Sequence, residues 1–286
     1  MSDKHVDELS GVETTGHEWD GIRELNNPMP RWWVLTFYAT ILWAIGYVIV
    51  YPSIPLLTEA TKGVLGQTNR QDYAIETVAA AASQKVYLDK IAALPVKEIA
   101  NDAELSQFAM NGGAAAFKVN CTPCHGSGAE GRPGFPNLND NDWLWGGDID
   151  AIYQTINHGI RSDDPKTRFS EMPAFADILK PEETRQVAAF VISLTGTPAD
   201  AGMIAPGKAL FTTNCASCHG AKAEGNREMG APSLADAIWL KGESEDAIAR
   251  QISAPKHGMM PAWSARLGDA TIKQLAVYVH ALGGGE

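Results

Sequence analysis

Apolar positions along the chain fall into three regimes. Residues 32–51, WWVLTFYATILWAIGYVIVY, form an apolar run without a single charge. That length crosses a hydrocarbon layer of roughly 30 Å at about 1.5 Å per residue, so the run predicts a transmembrane helix. Trp32, Trp33, Tyr47 and Tyr51 stand at or near its ends, where amphipathic rings favour the interface, and Arg31 marks its start. A cleaved signal peptide would have a shorter apolar stretch and a small-residue cleavage site, and this run shows neither. Residues 52–106 leave the span through PSIP and continue as Ala-rich, charge-dotted sequence such as AIETVAAAASQKVYLDKIAAL. These residue types favour helix but offer few large apolar groups, which predicts a partly helical linker that sets how far the next domain stands from the membrane. Beyond residue 107 the spacing becomes helical: Val187, Phe190, Val191 and Leu194 recur as Leu275, Tyr278, Val279 and Leu282, both sets at i, i+3, i+4, i+7.

That recurrence belongs to a longer one. NCTPCHG at 120–126 returns as NCASCHG at 214–220, with Cys121 and Cys215 94 positions apart. Phe117 matches Phe211, Gly131 matches Gly225, PNL at 136–138 matches PSL at 232–234, WLWG at 143–146 matches WLKG at 239–242, and NHG at 157–159 matches KHG at 256–258. EMPAF at 171–175 then matches MMPAW at 259–263, which pairs Met172 with Met260 and Met259 with Glu171. The terminal helices keep the same 88-residue offset as Met172 and Met260, so the register holds. Two repeat domains are expected, 107–198 and 203–286, each of a size at which an apolar core alone is marginal and a large, flat, covalently held group would help complete it.

Bulk composition adds less. The chain has 286 residues, 45% hydrophobic and 20% charged, which fits a folded protein of about two domains. A net charge of −11 argues against nucleic acid and favours encounter with a basic protein, or simply solvates the surface. All four cysteines lie in the two motifs, so none remains for an ordinary disulfide.

The spacing C-x-x-C-H reads as c-type haem attachment. Two thiols one helical turn apart reach the two vinyl groups, and the adjacent histidine is carried beneath the iron. Pooling the two C-x-x-C units into one zinc site would span far more chain than zinc ribbons do. A thioredoxin-like pair would need a βαβ setting and would leave the histidines after both motifs unexplained. The residues therefore point to two covalently bound haem c groups, on Cys121 and Cys124 and on Cys215 and Cys218, with His125 and His219 as axial ligands. Methionine on a Met-Pro loop before the last helix suits the sixth position. Met172 and Met260 stand there, 47 and 41 residues after those histidines, and Met259 is left as packing. Thioether ligation raises the potential and closes the iron to other ligands, which favours electron transfer over catalysis. The sequence leaves open whether each methionine serves its own repeat's iron or the other's. It also leaves open the roles of His158 and His257, either rival ligands or loop residues bonding backbone or a haem carboxylate. Trp143 and Trp239 are expected to pack against the pocket. The expected fold is all-α: one N-terminal transmembrane helix, then two tandem class I cytochrome c-like domains.

The stretch TTGHEWDGIRELNNPMPRWW, with one span and two C-x-x-C-H repeats after it, resembles the FixP/CcoP family, the di-haem subunit III of cbb3-type cytochrome c oxidase. The likeness runs over essentially the whole chain, and it is to the single-anchor form. It implies a subunit with no catalytic site of its own within a proton-pumping oxidase. Electrons would arrive from a soluble or membrane-bound cytochrome c and pass to the mono-haem c subunit and the haem–copper catalytic subunit. Haem attachment outside the bacterial inner membrane would leave residues 1–31 cytoplasmic and both haem domains periplasmic. The charge count across the span, Lys4, Arg23 and Arg31 against Lys62 and Arg70, is too even to decide this.

Overall fold

The structure is a computed structural model that describes residues 5–197 and 199–286. Lys4 and the residue-198 boundary expected for the first repeat lie outside the described residues. Between Ser83 and Gln84 the chain divides into two compact units.

The first unit corrects the all-α expectation. β1 (Thr14–Trp19) and β2 (Ile22–Leu25) form an antiparallel hairpin. Asp20 and Gly21 at its tip both have positive φ, 49° and 84°, the conformation that two-residue hairpin turns require and that Asp-Gly supplies. After Pro30 the chain enters α1 (Arg31–Val50), a 20-residue helix with no buried residue. Its two threonines satisfy their hydroxyls internally, Thr36 on the carbonyl of Trp32 at 2.9 Å and Thr40 on that of Phe37 at 2.7 Å, as a helix in hydrocarbon must. The amides of Val64 and Leu65 return to the carbonyls of Ile49 and Val50, at 3.0 and 3.2 Å, and satisfy the helix end.

The remaining helices are α2 (Asn69–Ala93), α3 (Val96–Asn101), α4 (Ala103–Asn120), α5 (Thr122–His125), α6 (Ile149–His158), α7 (Pro181–Ser193), α8 (Ala201–Asn214), α9 (Ala216–His219), α10 (Glu245–Ser253), α11 (Ser264–Leu267) and α12 (Asp269–His280). Their starts follow local chemistry. Asp102, Asp148, Asp200 and Ser244 each accept from amides of the first turn of α4, α6, α8 and α10.

Two hydrophobic cores form in the second unit, and they do not follow the sequence repeats. The first joins Leu105, Ala109 and Phe117 of α4 and Ile152 and Ile156 of α6 to Ile272, Leu275 and Val279 of α12. The second joins Val187, Phe190 and Val191 of α7 to Phe211 of α8 and Ile248 and Ile252 of α10. Each repeat's terminal helix therefore packs into the core built on the other repeat's Cys-motif helix. The ring pairs carry the same exchange: Phe117 meets Tyr278 with centroids 5.4 Å apart, and Phe211 meets Phe190 at 5.2 Å. Both crossings need glycine for close approach. A Cβ on Gly113 would lie 2.3 Å from the carbonyl oxygen of Gln274, and one on Gly207 1.9 Å from that of Gln186. Ile91, Val96, Ile99 and Leu105, expected in a linker, are instead buried in the first core. Lys273 ties α12 to the end of α2, its Nζ donating to the carbonyls of Ile91 at 3.2 Å and Ala92 at 2.8 Å and meeting Asp269 at 2.8 Å. A cation at helix C-terminal carbonyls is the favourable sense.

Candidate haem-attachment sites

The two Cys-x-x-Cys-His segments adopt one geometry. Cys121 ends α4 and opens the single turn α5, and Cys215 does the same between α8 and α9. The amides of Cys124 and His125 both bond the carbonyl of Cys121, at 3.1 and 2.9 Å, and those of Cys218 and His219 bond that of Cys215, at 3.1 and 3.0 Å. Each turn thus holds two cysteines and a histidine on one short hydrogen-bonded corner of backbone.

The imidazoles are oriented by backbone. Nδ1 of His125 donates to the carbonyl of Pro136 at 3.1 Å, and Nδ1 of His219 to that of Pro232 at 3.0 Å. That hydrogen bond fixes the tautomer and leaves Nε2 with its lone pair free for a metal. Burial holds both histidines below their ordinary pKa, which keeps them neutral. Burial, with a smaller contribution from the neighbouring cysteine, pushes the Cys121 and Cys215 thiols up to about 11. Redox-active cysteine pairs have the opposite shift. Among the described residues no three of His, Cys, Asp and Glu gather as a metal cluster.

A cavity opens beside the first motif, lined by Phe117, Cys121, His125, Trp145, Leu275 and Met260 among others. Its walls are mostly apolar, and behind them Arg168, over the Trp145 ring, keeps a buried Nε with no partner among the described residues. An apolar slot with a thiol, a neutral imidazole and a thioether suits a flat iron-bearing macrocycle that also carries negative charge. Met260 comes from the second repeat. Met172 packs instead against the second core, with Cys215, Phe211 and Trp239. The structure thus brings Met260 to the cavity beside Cys121 and His125, and Met172 to the core that holds Cys215. Met259, by contrast, is 69% exposed.

The matching histidines differ. His257 Nε2 accepts the amide of Met172 at 3.0 Å, and His158 Nδ1 pairs with Asp164 at 3.0 Å. Trp143 packs against the first core and donates its indole N–H to the carbonyl of Gly284. Sequence reasoning missed residues 160–170, which have no counterpart in the second repeat. Within them, Ile160 brackets the backbone of Met260 and Arg161 donates Nε to Gly258 and Nη1 to Ser170, at 2.6 and 2.7 Å. The signal was the length difference between repeats, a loop that the second lacks.

An exposed apolar helix of membrane-spanning length and two repeats with one Cys-Cys-His corner define a membrane cytochrome of the c type. The family model for the N-terminal domain of cytochrome oxidase-cbb3, FixP, matches residues 11–58, and that for cytochrome c oxidase, cbb3-type, subunit III, matches residues 108–191 and 202–279. The chain is 65% identical to a cbb3-type cytochrome c oxidase subunit FixPc of Rhizobium leguminosarum bv. viciae over 100% of both chains. It is 51% identical to a FixP subunit of Bradyrhizobium diazoefficiens over 98% of each chain. With a CcoP subunit of Cereibacter sphaeroides the identity is 49%, over 96% of this chain and 95% of that one. The chain belongs to the FixP/CcoP family of cbb3-type oxidase subunits III.

Proposed function

We propose that this chain is the membrane-anchored di-haem c electron-transfer subunit of a cbb3-type oxidase. One observation supports the reading: Met260 of the second repeat lines the cavity beside Cys121 and His125, and Met172 of the first repeat packs on the core that holds Cys215. Cys121 and Cys124 would hold one haem c with His125 and Met260 on the iron, and Cys215 and Cys218 the other with His219 and Met172. When bound, each haem supplies a site that stores and releases one electron. The protein's own part is to keep that exchange cheap. The Pro136 and Pro232 carbonyls orient the imidazoles, the Met-Pro loops hold the thioethers, and the apolar walls keep water from the iron. With His125 and Met260, and His219 and Met172, committed to the haem irons, the chain would have no catalytic site of its own.

Membership of the family supports the partners. Electrons enter from a cytochrome c donor and leave toward the mono-haem c and haem–copper subunits, where oxygen is reduced and protons are pumped. α1 lies in the bacterial inner membrane, residues 1–31 are cytoplasmic, and the haem domains are periplasmic, the compartment in which haem c is attached. Two six-coordinate low-spin haems per purified chain, and recovery from solubilised membranes bound to a haem–copper subunit, are the expected results. A five-coordinate haem at neutral pH, or recovery with a dehydrogenase instead, overturns the reading.

A further inference from the structure

Arg168 is a cation without a full set of partners. Its Nε is buried and makes no hydrogen bond among the described residues. Its Nη2 reaches the carbonyl of Ala151 at 3.3 Å, and its guanidinium lies 5.4 Å from the ring centroid of Trp145. Trp145, Gly146, Thr155 and Ile160 line the first cavity, so Arg168 stands directly behind its wall. The acid that acts on it is Asp148, whose carboxylate already accepts the amides of Asp150 and Ala151 as the cap of α6. Arg161, on the same loop, has Nε and Nη1 committed to carbonyls. An unpaired buried donor costs about 1–3 kcal/mol, and more when charged, so a native arginine in this state calls for an anion.

Haem brings two carboxylates. We propose that Arg168 binds the carboxylates of the haem held in the first cavity, and so gives that haem an electrostatic setting the second haem lacks. The asymmetry follows from the chain itself: Arg168 lies in residues 160–171, where the second repeat has only Met259 between Gly258 and Met260, and the partner of Trp145 in that repeat is Lys241. A guanidinium on those carboxylates neutralises charge that would otherwise stabilise the ferric state, so it raises the potential and keeps the carboxylates ionised to lower pH. The other charged groups facing this region are Asp142 on the cavity wall with Arg227, Asp140 and Asp236 about it, the His158–Asp164 pair, and Arg161 with Glu171. All of these stay in place when only Arg168 is changed.

The inference rests on the proposed reading that the Cys121–His125 cavity takes haem c, and the test separates the two. Haem content of the detergent-solubilised full chain, by pyridine haemochrome, tests the site: fewer than two haems in the unmodified chain fails that reading. Redox titration over a pH series then tests Arg168. Arg168→Gln is expected to keep two low-spin haems, to lower the potential of one, and to move that haem's pH-dependent step to higher pH, with the other unchanged. Arg168→Lys should recover most of the shift. Potentials and pH profiles unaltered in Arg168→Gln, or both haems moving together, overturn the proposal. If the glutamine variant loses one haem, Arg168→Lys must retain it, and its loss there too overturns the proposal.

Discussion

Ile160 and Met260 hold one another by the backbone in both directions. The amide of Ile160 donates to the carbonyl of Met260 at 2.9 Å, and the amide of Met260 donates to the carbonyl of Ile160 at 3.0 Å. The two residues are a hundred positions apart, yet this antiparallel bridge clamps a second-repeat methionine onto the wall of the first-repeat cavity. Met172 is held differently, by its amide on His257 and by the amide of Phe175 on the carbonyl of Ile252 at 3.1 Å.

The exchange makes the methionine variants cross-read. Met260→Ala should open one iron to carbon monoxide and lower its potential, within the roughly 0.8 V that axial ligands span. In a chain whose first motif is disabled by Cys121→Ala and Cys124→Ala, the same change should leave the remaining haem's spectrum intact, and Met172→Ala should open it. Carbon monoxide difference spectra of these variants check the pairing. The opposite result would return each methionine to its own repeat.

Met259 stands beside Met260 but faces solvent. Met259→Ala should leave both haem spectra and both potentials where they are, with a stability change inside about ±0.5 kcal/mol, as for other surface substitutions. A changed methionine-to-iron charge-transfer band in this variant would count against the register of the repeat.

Gly113→Ala tests the helix crossing. Its Cβ would press on the backbone of Gln274, which cannot rotate away, so α4 and α12 must separate. Overpacking of this kind costs about 1–3 kcal/mol. Thermal melts should show that loss, together with a lower yield of the first haem. Gly207→Ala should do the same to the second.

Asp269 links acidity to the first core. Its own desolvation raises its pKa, but the hydrogen bonds from Lys273 and Tyr153 outweigh this, and the net shift is below the ordinary 3.8. A carboxylate with a depressed folded pKa adds stability above its unfolded pKa and loses it as pH falls through the folded one. The carboxylate is about half exposed, so the effect is small. Asp269→Asn should melt slightly earlier than the parent at pH 7, and the gap should close as pH drops below about 3.8. A gap that persists at lower pH would assign the contribution to hydrogen bonding alone.

What could be read in the sequence was whatever repeats or has a period. The span, the two Cys-Cys-His corners, both methionines and the buried faces around Val187 and Leu275 all announce themselves locally. The exchange does not, because Val187, Phe190 and Val191 present the same pattern as Leu275, Tyr278 and Val279, and either set could fill either core. Which set fills which is decided by contacts that no local pattern encodes, such as Gly113 against Gln274 and Ile160 against Met260. The hairpin at 14–25 did carry a signal, its Asp-Gly turn, but its strands are short and mostly exposed. Ile91 and Ile99 hid in Ala-rich sequence that looked like spacer, and Arg168 in a loop without a counterpart to compare.

The crossed helices also impose an order of assembly. From Met172 through α10 the second core is one continuous stretch, enclosed by the first as a clause is enclosed by parentheses. A chain made from its N-terminus can finish the inner module while the outer one still lacks a wall. The first Cys-Cys-His corner, though made earlier, must wait for α12 and for Met260. A chain cut after residue 258, which keeps His257 on Met172 and removes Met260 and α12, should therefore keep the later motif's haem ligated and lose closure of the earlier one.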